Sequence, residues 1–511
     1  MLRAALRNFV VQGLSLGQSF FDRIFVVALL LRSLGVDVYA DWVAITSVAG
    51  LFGLAETGLN FYFGNVMMRR FAEGDVAGFQ RILSVAITVA VGLAAFLVLL
   101  GVALIAPIDI VRSLSLGGIA RFDAKIALAL LSIVSISRIF RGCLFQIYRG
   151  RREFARGLIV DLMFAMSVSL ASAGVALVGG GVVDLALATF GCEAIFGWGV
   201  LLVDLTRRYP SLRLRPAFPR AAEIADLWAR IKWSALAQAG SSLVVWAPPL
   251  LLGAMRIGAS AVVSFVVLRI LVSLGRQATG MLLTAFNVEL AALAPETQGD
   301  SRAAAIAGLG AFSSAATAVL AVASVAFAGE AISLWTGKAA LFDPAVLASL
   351  FAGSLAGGFA APFQMFLSFA NEPKLVAIAA VINACVGLTL GALGASMFGL
   401  LGLTVGLAMG EIAGSAYFLT SGALSALRLD TAHYLRRSFA ITSLVVVSTA
   451  ALAVALRLLP LPGGLAGLTV RVILFVVLGA TPALVFSAPR PLRLQILSRL
   501  RRSADMRVSQ K

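Results

Sequence analysis

Fourteen long apolar runs, each meeting the roughly 20 residues that one helical crossing of a bilayer needs, leave few folds open to this sequence. Six lie near 9–31, 42–67, 82–106, 124–147, 157–179 and 183–204. Six more lie near 233–254, 258–286, 303–327, 342–369, 375–398 and 400–425, and a final pair near 438–458 and 467–487. The runs are continuous, whereas a membrane β-barrel alternates apolar and polar residues. Charged residues make up 13% of the chain, against about 25% in a soluble domain. A mean hydropathy of +0.99 is more than one buried core can absorb, so lipid must be the solvent for most of the surface. The expected fold is an all-α polytopic membrane protein of about fourteen transmembrane helices.

A net charge of +17 would suggest nucleic acid in a soluble protein. Here the basic residues gather on one set of loops: Arg69, Arg70 and Arg81; Arg149, Arg151, Arg152 and Arg156; Arg207 through Arg220; and the tail from Arg490 to Lys511. That is the bias of cytoplasmic loops, so both termini are expected in the cytoplasm and the chain in a bacterial inner membrane. The basic loops then meet anionic lipid, and nucleic acid is not an expected partner. Leu494, Leu497 and Leu500 among arginines read as an amphipathic helix on the inner leaflet. Cys143, Cys192 and Cys385 lie far apart inside apolar runs, and His433 is the single histidine. Neither a metal site nor a cofactor is expected from them. The first run carries Asp22 and Arg23 with no small-residue cleavage site after it, and reads as a retained helix.

A basic, proline-bearing stretch at 207–232 separates two similar halves. Gly35 through Phe63, Asn65 and Val66 matches Gly258 through Phe286, Asn287 and Val288, and Gly191 with Glu193 matches Gly410 with Glu411. The expected organisation is an N-terminal six-helix lobe (1–206), the linker, a C-terminal six-helix lobe (233–427), two further helices (428–490) and a basic tail (491–511). A six-helix repeat inserts twice in the same sense, giving parallel repeats of the kind found in transporters. Outer loops are short, which disfavours a glycosyltransferase or polysaccharide polymerase; Asp37 and Asp41 lie in the first, with no long loop beside them.

Charged residues inside the runs are the candidates for function, because an ion near the bilayer centre costs about 2.5–3.5 kcal/mol. Arg23, Arg138, Arg141, Arg269 and Arg276 are the candidate substrate-binding residues, suited to an anion because the guanidinium makes paired hydrogen bonds to phosphate. Arg138 and Arg141, three apart, share a helix face, as do Arg269 and Arg276, seven apart. Each arginine could instead snorkel to an interface or pair with an acid, as Arg23 could with Asp22. Asp22, Glu56, Glu193 and Glu411 are candidate sites for H⁺ or Na⁺ coupling, with Asp161 weaker because it lies near a helix end. Gly402, Gly406, Gly410 and Gly414, at a spacing of four, predict close helix packing. No nucleotide-binding loop is present, and no catalytic role is expected.

The stretch LGVDVYADWVAITSVAGLFGLAETGLNFYFGNVMMRRFAEGD, residues 34–75, resembles bacterial polysaccharide flippases. Leu34, Gly35, Tyr39, Trp42, Glu56, Gly58, Leu59, Arg69, Arg70, Ala72 and Gly74 carry the likeness, with Glu56 where that family usually has Asp. The family belongs to the multidrug/oligosaccharidyl-lipid/polysaccharide exporter superfamily. The resemblance implies two six-helix lobes around a cationic cavity that opens alternately to either side. It also implies export of a polyprenyl-pyrophosphate-linked oligosaccharide for O-antigen, capsule or exopolysaccharide synthesis, with polymerase or assembly proteins as further partners. A cation-coupled multidrug extruder is the alternative within transport, disfavoured by five membrane arginines because its substrates are often cationic.

Overall fold

The computed structural model describes residues 2–105, 110–219, 221–292, 299–369, 373–427, 429–460 and 464–487. The amphipathic tail at 491–511 lies outside them. All regular structure among the described residues is helical, and eleven helices are long and apolar enough to cross a membrane. Contacts divide the chain at Val266 into two units, Met1–Val266 and Val267–Lys511.

The first unit holds α1 (Leu2–Phe21), α2 (Val27–Leu51), α3 (Glu56–Ala72), α4 (Val76–Ile105), the short α5 (Ile110–Ser113), α6 (Arg121–Gly150) and α7 (Phe154–Leu177). It continues with α8 (Val182–Cys192), α9 (Leu201–Arg208), α10 (Ala221–Ala254) and the start of α11 (Ala259–Ala292). At the end carrying the basic loops, Phe63, Met67, Phe79, Leu83, Ile139 and Tyr148 are sealed among α3, α4 and α6. Arg151 closes that end, 5.0–5.5 Å from the rings of Phe71, Phe79 and Tyr209. Burial pushes the Tyr209 phenol up to about 12, so that ring stays neutral beside the cation. Tyr148 donates to Asp204 at 2.6 Å, and Arg156 binds the same carboxylate with both Nε and Nη2. These bonds tie α6, α7 and α9 together at their ends.

The second unit continues with α12 (Gly299–Thr336), α13 (Pro344–Phe369), α14 (Pro373–Glu411), α15 (Thr420–Ala426), α16 (Thr431–Leu458) and α17 (Gly464–Ser487). Here α16 and α17 lie on α12, burying Ala315, Val319, Phe327, Val445 and Phe475. Some buried hydroxyls return to the carbonyl four residues back, as Thr317 does to Ser313 and Thr449 to Val445, so these cost little in an apolar surround.

Two glycines divide what would otherwise be continuous helices. Gly35, at φ 79° and ψ 175°, separates the first expected crossing from the second inside α2. Gly399, at φ 59° and ψ −137°, separates the runs at 375–398 and 400–425 inside α14. Only glycine occupies that second region comfortably. Gly399→Val is therefore expected to destabilise the protein by about 1–3 kcal/mol, read as a lower unfolding midpoint in detergent; an unchanged midpoint would contradict the assigned backbone.

The repeat reappears in the backbone. Positive φ recurs at matching turns: Gly35 with Gly258, Ser115 with Gly337, and Gly179 with Gly399. The four-residue glycine stripe packs as expected, with Gly402, Gly406, Gly410 and Gly414 of the second crossing in this hairpin set against the backbone of Gly394, Gly391, Asn383 and Ala379.

Candidate functional site

In the first unit the site is built on α6, α7 and the helix that begins as α8. Arg141 is almost sealed, its side chain 7% exposed, with Phe164 stacked 4.3 Å from the guanidinium carbon. Its Nε lies 3.1 Å from Glu193 Oε1, and its Nη1 donates to Asp161 Oδ1 at 3.2 Å. The Glu193 side chain is 4% exposed and also accepts from Ser137 Oγ at 3.0 Å. Its second oxygen, Oε2, is buried without a hydrogen-bond partner among the described residues, and a β-carbon at Gly197 on its own helix would stand 2.9 Å from it. One cation thus faces two carboxylates, and one buried carboxylate oxygen has no hydrogen-bond partner among the described residues.

Arg138 sits one turn before Arg141, yet its side chain is exposed and makes no ion pair or hydrogen bond among the described residues. The two arginines expected to act together are therefore divided: one is held by acids, the other is presented outward. Nearby, Ser169 Oγ donates to Asp22 Oδ1 at 2.7 Å and accepts from Gln18 Nε2, which ties α1 to α7. Arg23, beside Asp22, is half-buried. Glu56 opens α3, but its side chain lies outside the described residues.

The second unit repeats the arrangement with different partners. Arg276 Nη2 donates to Glu411 Oε1 at 2.7 Å, and Ser415 Oγ donates to Oε2 at 2.8 Å. Arg276 is half-exposed where Arg141 was sealed. Gly357 makes room for the pair, since a β-carbon there would stand 2.7 Å from Arg276 Nη2. Arg269, two turns before Arg276 on α11, is half-buried. The equivalent glutamates thus recruit arginines from non-equivalent places, α6 in one repeat and α11 in the other.

Backbone geometry marks the same acids. Three π-helical segments occur among the described residues: Asp22–Val26, Glu193–Val200 and Ile412–Leu419. Each begins on, or directly after, one of the candidate membrane carboxylates. Such bulges widen the helix, re-aim side chains, and concentrate at functional sites. Sequence reasoning identified the acids but missed the serines that bind them; Ser415, four residues after Glu411, was the one with a helical-spacing signal.

No family model matches the chain, and no curated protein matches it in sequence. Solved structures do match it in shape. An inward-facing multidrug resistance transporter of the MATE family, in the MOP superfamily, matches with a TM-score of 0.65 at 16% identity, over 80% of this chain and 95% of that one. The lipid II flippase MurJ in an inward closed conformation matches with a TM-score of 0.67 at 11% identity, over 95% of this chain and 99% of that one. A MATE structure in complex with MaD5 gives a TM-score of 0.55 at 16% identity, over 83% of this chain and 96% of that one. From its helices, its repeat and these likenesses, the chain has the fold of the MOP-superfamily transporters, the fold of multidrug exporters and of a lipid flippase.

Proposed function

We propose that the protein is a flippase that carries a polyprenyl-pyrophosphate-linked oligosaccharide from the inner to the outer leaflet by alternating access, for surface polysaccharide synthesis. The observation that carries this reading is Arg138, a membrane arginine without a partner among the described residues, one turn from a sealed arginine held by two acids. An exposed cation at that depth calls for an anion, and a pyrophosphate supplies one. The MurJ likeness supports a lipid-linked substrate. The basic loops support a multi-pass inner-membrane location with both termini cytoplasmic. In this reading Arg138 and Arg269 contact substrate, Arg141 and Arg276 are held ready by their acids, and Glu193, Glu411, Asp22 and Glu56 serve ion coupling.

The test is mass spectrometry of polyprenyl-linked sugars in a strain lacking the protein. A complete repeat unit accumulating on its carrier, with surface polymer lost, supports flipping; an unchanged pool with intact polymer sinks it. Arg138→Ala combined with Arg269→Ala removes two charge-assisted contacts of about 1.5–3 kcal/mol each. Transport should then fall at least roughly tenfold at normal protein level. A second reading, a cation-coupled multidrug extruder, draws on the buried Glu193 Oε2, which has no hydrogen-bond partner among the described residues. Raised sensitivity to cationic drugs in the deletion strain, with the lipid-linked pool unchanged, would favour it.

A further inference from the structure

On the first unit, α4 and α6 leave a groove of about 370 Å³ between them. Leu97, Val98, Gly101 and Val102 form one wall and Leu128 and Ala129 the other, with Val98, Val102 and Ala129 exposed. Its one charged lining residue is Lys125, at its head. There it meets a second cavity, of about 980 Å³, through Val111, which lines both. That second cavity is polar and holds Arg112, Arg121 and Arg256 with Asp37 and Asp41. Asp41 is buried and accepts from the Gly118 N–H at 2.7 Å, and Lys125 and the three arginines together outnumber the two aspartates. An apolar trough thus leads into a pocket with an excess of cations.

The second repeat carries the same trough. Leu97, Val98, Gly101 and Val102 correspond to Ala321, Val322, Val325 and Ala326, each 224 positions later. Ala124 and Leu128 correspond in the same way to Ala348 and Ala352. In that copy a third wall is present: Val446, Ala450, Ala453 and Val454 of α16 lie along it. At the same offset Lys125 becomes Ser349, which bonds Thr404, and Arg121 becomes Ala345. The copy along α16 keeps one lining cation, Arg457, which donates to the Ala326 carbonyl, whereas the α4–α6 copy has Lys125 at its head and three arginines in the cavity beyond. A trough of this shape accepts an elongated apolar body, and the difference in charge selects a body ending in an anion.

We propose that the α4–α6 groove and the arginine pocket at its head bind one lipid diphosphate. Its isoprenoid tail lies along the groove, and its diphosphate is held among Lys125, Arg112, Arg121 and Arg256. This rests on the lipid-linked reading above and on cytoplasmic termini, which put this end of α6 at the outer leaflet, where the substrate leaves.

The full chain in phospholipid nanodiscs is titrated with a benzophenone-bearing polyprenyl diphosphate and photolysed. Crosslinks are expected on 97–102 of α4 and 128–133 of α6. Ala129→Trp, at an exposed position that fills the groove, should lower labelling about tenfold or more, and so should Arg121→Gln with Arg256→Gln. Using two independent variants, each checked for the parent's unfolding midpoint, guards against a folding defect in either. Labelling elsewhere, or labelling unchanged in both variants, overturns the proposal. So does competition by phosphatidylglycerol as effective as that of unlabelled lipid diphosphate, which would make the groove a bulk-lipid surface. Equally effective competition by inorganic diphosphate would reduce the site to an anion pocket and also overturn it. Groove labelling in a protein whose deletion leaves the lipid-linked pool unchanged would keep the site and remove the flippase reading; a lost site with an accumulating pool would do the reverse.

Discussion

Arg141→Met is expected to cost about 3–5 kcal/mol of stability, because it leaves Glu193 buried as a charge with no counterion beside it. Glu193 then has Ser137 as its remaining hydrogen-bond donor, and its Oε2 is already without one among the described residues. Methionine fills a similar volume and keeps contact with Phe164, so packing loss should be small. Denaturation in detergent, followed by tryptophan fluorescence, measures the loss. The double variant Arg141→Met/Glu193→Gln should recover most of it, since no uncompensated charge remains. At Arg276 the same change should cost less, because that guanidinium is 48% exposed and Glu411 keeps the Ser415 hydroxyl. Equal losses at the two arginines, or no recovery in the double variant, would show that burial of charge is not the cause.

Gly406→Leu is expected to abolish folded, monodisperse protein. A β-carbon at Gly406 would overlap the backbone nitrogen of Gly391 across the hairpin, and backbone cannot swing aside as a side chain can. Overpacking in a well-filled core typically costs about 1–3 kcal/mol, and a backbone clash falls at or beyond the upper end. The neighbours offer no relief, since Gly410 stands as close as 2.5 Å to the Asn383 carbonyl by the same measure. Gly92→Leu is the matched control: a β-carbon there meets nothing within 4 Å, and the change should stay within about 0.5 kcal/mol. Size-exclusion profiles of the two variants decide the matter. A normal profile for Gly406→Leu would mean that the two helices do not pack through these glycines.

The crossings were legible because one requirement, about 20 apolar residues per span, acts on every helix separately. Even the break between 398 and 400 could be read, and it falls on the one residue there that tolerates ψ −137° at positive φ. The glycine stripe was legible for the same reason: its spacing is a property of one helix. Pairings were not. Glu193 and Glu411 stood out as symmetric acids, yet nothing in their own helices says that one meets Arg141, 52 positions earlier, and the other Arg276, 135 positions earlier. The common-face argument held Arg138 and Arg141 together, whereas a separation of three leaves them about 60° apart around the helix. That is enough to bury one and expose the other. The π-helical segments had no separate signal, because a single extra residue in a turn changes neither hydropathy nor period over the run. Grooves were the least legible, since they depend on which faces the rest of the chain leaves uncovered.

The Arg141 cluster sets one positive charge against the carboxylates of Glu193 and Asp161, so with both acids ionised it carries a net charge of −1. A group of that kind feels the membrane voltage. In the proposed ion-coupled cycle, a proton carried by Glu193 across the bilayer would move one elementary charge through the whole potential, worth about 2.3 kcal/mol per 100 mV. A cycle built on that step would run at a rate set by voltage as well as by pH, and collapsing the electrical potential alone is expected to slow it while the pH gradient stands.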